Sequence, residues 1–168
     1  VRSMVTASTH DYLLFFTSTG KVHRRKGYRI PEAGRTARGT AIVNILPLEP
    51  GEQVTAMLAT REFGEDSYLF MVTRNGTVKR LVMESIHTAR KAGIRALTLE
   101  EGDKLISVLK TNGSDQILIC TKDGMALCCD ENDVRPMGRD AQGVRGIRLE
   151  DGDRVVGAEL YQEGKQLL

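Results

Sequence analysis

One module is written three times in this chain, and that repetition limits the possible folds more than any single motif does. DYLLFFTSTGKV at residues 11–22 returns as SYLFMVTRNGTV at 67–78 and as DQILICTKDGMA at 115–126. Each copy closes on a related segment: GTAIVNILPLEPGE, GIRALTLEEGD and GVRGIRLEDGD. Taking Val1, Val54, Leu105 and Val155 as one repeat position gives periods of 53, 51 and 50 residues. A unit of that length, built of short apolar runs and glycine turns, is the size of one four-stranded blade. A lone blade cannot bury its hydrophobic face, so neighbours must pack alongside it. The expectation is therefore an all-β, propeller-like array of four-stranded blades, with three repeats and the start of a fourth. The repeats span about 1–53, 54–104 and 105–154, and residues 155–168 match only an opening.

Within each repeat a short apolar run leads to a stronger strand, expected at Tyr12 to Thr17, Tyr68 to Thr73 and Gln116 to Thr121. Asn75-Gly76 and Asp123-Gly124 are strong hairpin signals and predict type I′ turns, which need positive φ at both central positions. Thr17, Thr73 and Thr121 all stand three residues before the turn glycine. A third strand is predicted over Lys21 to Arg25, Thr77 to Val82 and Met125 to Cys129. A longer connection then leads, past Gly39, Gly93 and Gly143, into a fourth strand ending at Leu48, Leu99 and Leu149. Helical periodicity is weak; Met83 to Ala92 allows a turn or two. Acidic turns end the copies (Glu49 to Glu52, Glu100 to Asp103, Glu150 to Asp153), where carboxylates beside glycine satisfy turn backbone.

The 168 residues are 40% hydrophobic and 27% charged, ordinary values for a globular chain. No apolar run approaches the roughly 18 residues of a spanning helix, so no membrane partner is expected. The opening residues do not read as a signal peptide. The chain starts at Val1 and stops within a repeat, as a piece of a larger protein would. Cys120, Cys128 and Cys129 fit reduced, buried or edge-strand thiols better than a disulfide framework, and a zinc site would need more ligands.

Charge is informative only when split by repeat. Residues 1–53 carry eight Lys/Arg against four Asp/Glu, residues 54–104 eight against seven, and residues 105–154 seven against nine. The basic residues recur at one stage of the module, after the hairpin and through the long connection. They are Arg24, Arg25, Lys26, Arg29, Arg35 and Arg38, then Lys79, Arg80, Arg90, Lys91 and Arg95, then Arg135, Arg139, Arg145 and Arg148. Isolated basic loop residues usually form no more than a solvated face. Recurrence in register, however, would place these on one rim, the electrostatic footprint of a phosphate backbone. With four Phe, four Tyr and no Trp, base stacking is a poor expectation, which favours duplex backbone contact over single-stranded RNA reading. No Ser-His-Asp spacing, Walker-type loop or HExxH motif is present, so no catalytic residue is assigned.

The runs THDYLLFFTSTGKV, IPEAGRTARGTAIVNILPLEPGE and NDVRPMGRDAQGVRGIRLEDGD resemble blades of the C-terminal domain of the DNA gyrase A protein, and the similarity covers the whole chain. The related C-terminal domain of the topoisomerase IV A protein is the closest rival; the uninterrupted Val-Arg-Pro-Met-Gly-Arg stretch favours gyrase. The resemblance implies a β-pinwheel whose blades exchange strands and whose basic rim, the fifteen residues above, wraps duplex DNA without reading sequence. It further implies a non-catalytic part of a bacterial, cytoplasmic, nucleoid-associated topoisomerase that introduces negative supercoils. Partners would be the N-terminal part of the same gyrase A polypeptide, together with the gyrase B protein. ATP and Mg would be bound elsewhere in the parent enzyme, with no cofactor in this piece. Two departures stand out: the glutamine-arginine-glycine-lysine box is missing, and only three copies are present where the family has about six. Cys128 also replaces a usual basic residue. A propeller-like protein-interaction scaffold, with an incidental positive rim, is the alternative from another class.

Overall fold

The computed structural model describes residues 12–26, 46–61, 67–87 and 93–161. Among these the chain forms eleven strands and two single-turn 3-10 helices. The three strong apolar runs are strands with the expected bounds: β1 (Tyr12–Thr17), β4 (Tyr68–Thr73) and β8 (Gln116–Thr121). Each turns back into an antiparallel partner, β2 (Lys21–Lys26), β5 (Thr77–Val82) and β9 (Ala126–Asp130). The opening runs are β3 (Val54–Thr60), β7 (Leu105–Thr111) and β11 (Val155–Tyr161). The short β6 (Ile94–Arg95) and β10 (Val144–Arg145) complete the set.

The sheets do not coincide with the sequence repeats. Their orders are β3-β1-β2-β6, β7-β4-β5-β10 and β11-β8-β9. Each hairpin is thus flanked by the opening strand of the following repeat, and the first two also by its short strand. Strand exchange between neighbours is the result. Strands β3, β7 and β11 lie next to one another, which leaves β6 and β10 at the opposite, outer edge.

Apolar patterning follows from this stacking. The second sheet has neighbours on both faces, so β4 needs no polar alternation. Leu69 and Met71 pack with Leu14, Phe16 and Val22 of the first sheet, while Phe70 and Val72 pack with Ile117 and Ile119 of the third. On the outer face of the first sheet, Leu13 and Phe15 bury against Leu46. In β8 only Ile117, Ile119 and Thr121 are buried, since its other face has no described neighbour.

Two local expectations are corrected. The hairpins are not type I′, because no described non-glycine residue has positive φ. Instead the Gly20, Gly76 and Gly124 N–H groups donate to the Thr17, Thr73 and Thr121 carbonyls at 3.0, 3.1 and 3.1 Å. Only the glycine enters the left-handed region, with φ of 89°, 91° and 92°. The result is a three-residue loop with a glycine bulge. This explains the invariant spacing of the threonines: their hydroxyls accept the N–H groups of Lys21, Thr77 and Met125 at 3.4, 3.1 and 3.1 Å.

The predicted fourth strand shrinks to two residues in the second and third repeats. Beyond β6, the Ala96 and Leu97 N–H groups both turn onto the Gly20 carbonyl at 2.8 and 3.2 Å, which ends the ladder. Gly146 and Ile147 treat Gly76 in the same way, at 2.8 and 3.2 Å. The corresponding strand of the first repeat falls largely outside the described residues. Within the Met83 to Ala92 stretch, where a turn or two is expected, Met83–Ile86 forms a 3-10 turn, and Glu131–Asp133 forms its counterpart in the third repeat.

Candidate nucleic-acid interface

The closing acidic turns hold the hairpin tips. Asp103 Oδ1 accepts the Asn75 and Lys104 N–H groups at 3.0 and 2.8 Å, and Asp153 Oδ1 accepts those of Asp123 and Arg154 at 3.0 and 2.8 Å. Glu52 performs the role differently, taking the hydroxyl of Thr17 at 2.6 Å together with that of Thr19. Burial pushes the Glu52 carboxyl up, but the two hydroxyls, the Glu49 N–H and nearby Lys21 outweigh it and leave it below the usual carboxylate range. These acids are structural, as their place beside glycine suggests.

The outer edge carries cations at matched positions. Arg95 ends β6 and pairs with Lys21 of β2; Arg145 ends β10 and pairs with Thr77 of β5. Both are exposed, as are Lys26, Arg135 and Arg148. Arg139 is half-buried. Arg24 and Arg25 are half-buried, and Arg24 shares the Tyr12 ring with Lys26, at 5.1 and 5.8 Å from the ring centre. Arg29, Arg35, Arg38, Arg90 and Lys91 lie outside the described residues, and so does most of the first repeat's basic connection.

Lys79 and Arg80, expected on the rim, are a correction. Their relative exposures are 0% and 5%, so neither presents its charge to a ligand. Lys79 Nζ donates to the carbonyls of Ala96, Arg139 and Ala141 at 2.8, 2.7 and 2.9 Å. Arg80 Nε lies 3.2 Å from Glu131 Oε1, its Nη1 donates to the Val134 carbonyl at 3.3 Å, and its guanidinium covers the Tyr68 ring at 4.1 Å. Arg24 does the equivalent in the first repeat, donating from Nη1 to the His87 carbonyl. His87 and Val134 each cap the 3-10 turn of the following repeat. Arg24 and the Lys79-Arg80 pair are therefore inter-blade ties.

Sequence reading missed this because recurrence in register reveals equivalence, not direction. The deciding fact is a buried acid, which the structure reveals and the charge pattern does not. Glu131 is 0% exposed and accepts the Thr111 hydroxyl at 2.8 Å and the Gly113 and Asp115 N–H groups at 3.1 and 2.7 Å. In the third repeat Leu127 and Cys128 take the places of Lys79 and Arg80; both are exposed on β9, and the Cys128 thiol faces the Gln116 amide at 3.8 Å. Cys120, Cys128 and Cys129 are unbridged. Burial, with Cys128, Asp133 and Asp130 nearby, raises the Cys129 thiol to about 11, far from reactive thiolate.

The family model described as "DNA gyrase C-terminal domain, beta-propeller" matches residues 11–61, 67–112 and 115–161. The chain belongs to that family. The DNA gyrase A protein of Haloquadratum walsbyi is 48% identical over 159 residues, 92% of this chain and 19% of that protein. The DNA gyrase A protein of Escherichia coli K12 is 46% identical over 153 residues, 91% of this chain and 18% of that protein. The chain thus spans about a fifth of the length of these relatives. Among solved structures, the C-terminal domain of DNA topoisomerase IV superposes with a TM-score of 0.82 at 29% identity, over 92% of this chain and 48% of that one. A DNA gyrase A C-terminal domain superposes with a TM-score of 0.76 at 25% identity, over 95% and 50%.

Proposed function

We propose that this chain binds duplex DNA without sequence preference and bends it around the outer edge of its blade array. In this reading it is the non-catalytic C-terminal part of a DNA gyrase A protein. The observation that carries the reading is the equivalent placement of Arg95 and Arg145 at the exposed outer ends of successive sheets, in a chain of the gyrase C-terminal family. Exposed Lys26, Arg135 and Arg148 supply further charge. Cations repeated along a curved edge neutralise successive phosphates, and the resulting contacts position a duplex without reading its bases. The wrapped segment would then be offered to the parent enzyme, which cuts and passes strands with ATP and Mg in the cytoplasm. The N-terminal part of the gyrase A polypeptide and the gyrase B protein would be its partners there.

The test is binding to a short random-sequence duplex across a salt series. Affinity should fall steeply as salt rises, by about 0.9 in the log–log slope for each phosphate neutralised. Binding indifferent to salt would contradict the reading.

The topoisomerase IV superposition supports a second reading, the equivalent domain of that enzyme. Fusion to the N-terminal part of a gyrase A protein discriminates. A gyrase domain should restore negative supercoiling with the gyrase B protein and ATP, and a topoisomerase IV domain should not.

A further inference from the structure

Three consecutive carbonyls of the third repeat point into the second blade. Lys79 Nζ takes those of Arg139 and Ala141 at 2.7 and 2.9 Å. The Thr98 hydroxyl takes that of Asp140 at 2.7 Å, and the Thr98 N–H takes that of Ala141 at 3.2 Å. Accepted bonds at all three carbonyls hold the main chain of this segment against the blade. Asp140 is exposed and Arg139 half-exposed. Just upstream, the Met137 N–H donates to the Arg80 carbonyl at 2.9 Å, so the stretch that carries Arg135 and Arg139 is stitched along β5.

A wholly buried ammonium is costly unless all its protons are satisfied. Here the three donors meet three carbonyls, the third being Ala96 in its own repeat. The arrangement joins two repeats through one charge. It also differs at the equivalent positions, His23 and Leu127, neither of which carries three donors on a flexible stem.

We infer that Lys79 is a positioning residue for the DNA-binding edge: its buried ammonium fixes the Arg139–Ala141 backbone of the next repeat and thereby presents Arg139 to phosphate. The inference rests on the proposed DNA-binding function. Lys79 itself touches no DNA.

Chemical rescue tests it. Lys79→Ala leaves three carbonyl oxygens converging on the site of the lost cation, and ammonium ion has donors to refill it. In sodium chloride the variant should bind a short duplex more weakly, with a salt slope shallower by about 0.9. Ammonium chloride at equal ionic strength should restore most of the loss, whereas tetramethylammonium, which has no donors, should not. A vacancy left by missing methylenes alone would respond to neither salt. Wild-type affinity and slope in Lys79→Ala, or a loss that ammonium leaves untouched, would overturn the inference. Should Lys79→Ala fail to fold, Lys79→Met keeps the apolar stem and decides in its place. Its slope must then be shallower, and an unchanged slope overturns the inference. Amide exchange at Thr98 and Ala141, measured without DNA, separates the two ideas. Faster exchange in Lys79→Met alone supports the tie even if the wild type binds no duplex, in which case only the DNA-binding reading falls. Unchanged exchange removes the tie itself.

Discussion

Arg80 Nε and Glu131 Oε1 stand 3.2 Å apart with both side chains almost fully buried, and they join the second repeat to the third. The carboxylate is otherwise occupied by one hydroxyl and two N–H groups of the Thr111–Asp115 turn. One buried charge thus organises a turn, a 3-10 helix and a blade junction.

Removing it should be severe. Glu131→Ala leaves Arg80 buried without its counter-charge and orphans the Gly113 and Asp115 N–H groups. Breaking a buried pair from one side costs about 3–5 kcal/mol. Urea denaturation should show a fall of that order. Glu131→Gln, which keeps an acceptor oxygen, should lose less.

Closed and open blades should respond differently to one methyl group. Gly76 and Gly124 share nearly the same φ, 91° and 92°, so alanine is strained at both. At Gly76 a Cβ would also come within 2.6 Å of the Ile147 carbonyl oxygen, whereas at Gly124 nothing lies within 4 Å. Gly124→Ala should cost about 1 kcal/mol of backbone strain, and Gly76→Ala clearly more. Denaturation midpoints of the two variants check the ranking.

The Lys79 ammonium has a pH signature. Burial pushes it down from the ordinary 10.5 to about 8, with Asp140 raising it and Arg139 lowering it further. Because the folded value lies below the unfolded one, the unfolded chain binds the extra proton between these two pH values. Lys79 should therefore add a positive slope of stability against pH from about 8 to about 10.5, at most about 1.4 kcal/mol per pH unit. Below pH 8 that contribution is flat. Lys79→Met should lack the slope, which parallel unfolding titrations would reveal.

The legible part of the sequence was whatever local chemistry settles. Strands β1, β4 and β8 could be bounded because threonine and glycine close each hairpin at fixed spacing. The apolar run Leu69 to Val72 marked a strand, and the fold adds that both of its faces are covered. The turn type was not legible, since Asn-Gly fits both a two-residue loop and a glycine bulge, and the Thr73 hydroxyl decides between them. Nor was the assignment of flanking strands, because a repeat period says nothing about which neighbour supplies them. Arg95 and Arg145 fell on the outer edge as recurrence suggests, while Lys79 and Arg80 did not. A strand with both neighbours in place buries its long cations against carbonyls and Glu131, and charge pattern alone cannot reveal that.

Edge charge can be titrated residue by residue. Arg95→Ala and Arg145→Ala remove exposed guanidinium groups that make no described tie between blades, so stability should change by less than about 0.5 kcal/mol. Each should make the salt slope of duplex binding shallower by about 0.9, independent of DNA sequence. Fluorescence anisotropy at several salt concentrations would measure both variants.

The most direct test reverses the charge of the outer edge and follows duplex binding in one titration. Duplex affinity is measured between about 50 and 200 mM salt for the wild type and for the double variant Arg95→Glu/Arg145→Glu. The account predicts steep salt dependence in the wild type and a markedly weaker, shallower response in the double variant at unchanged melting temperature. Equal affinity and slope in the two proteins would contradict it.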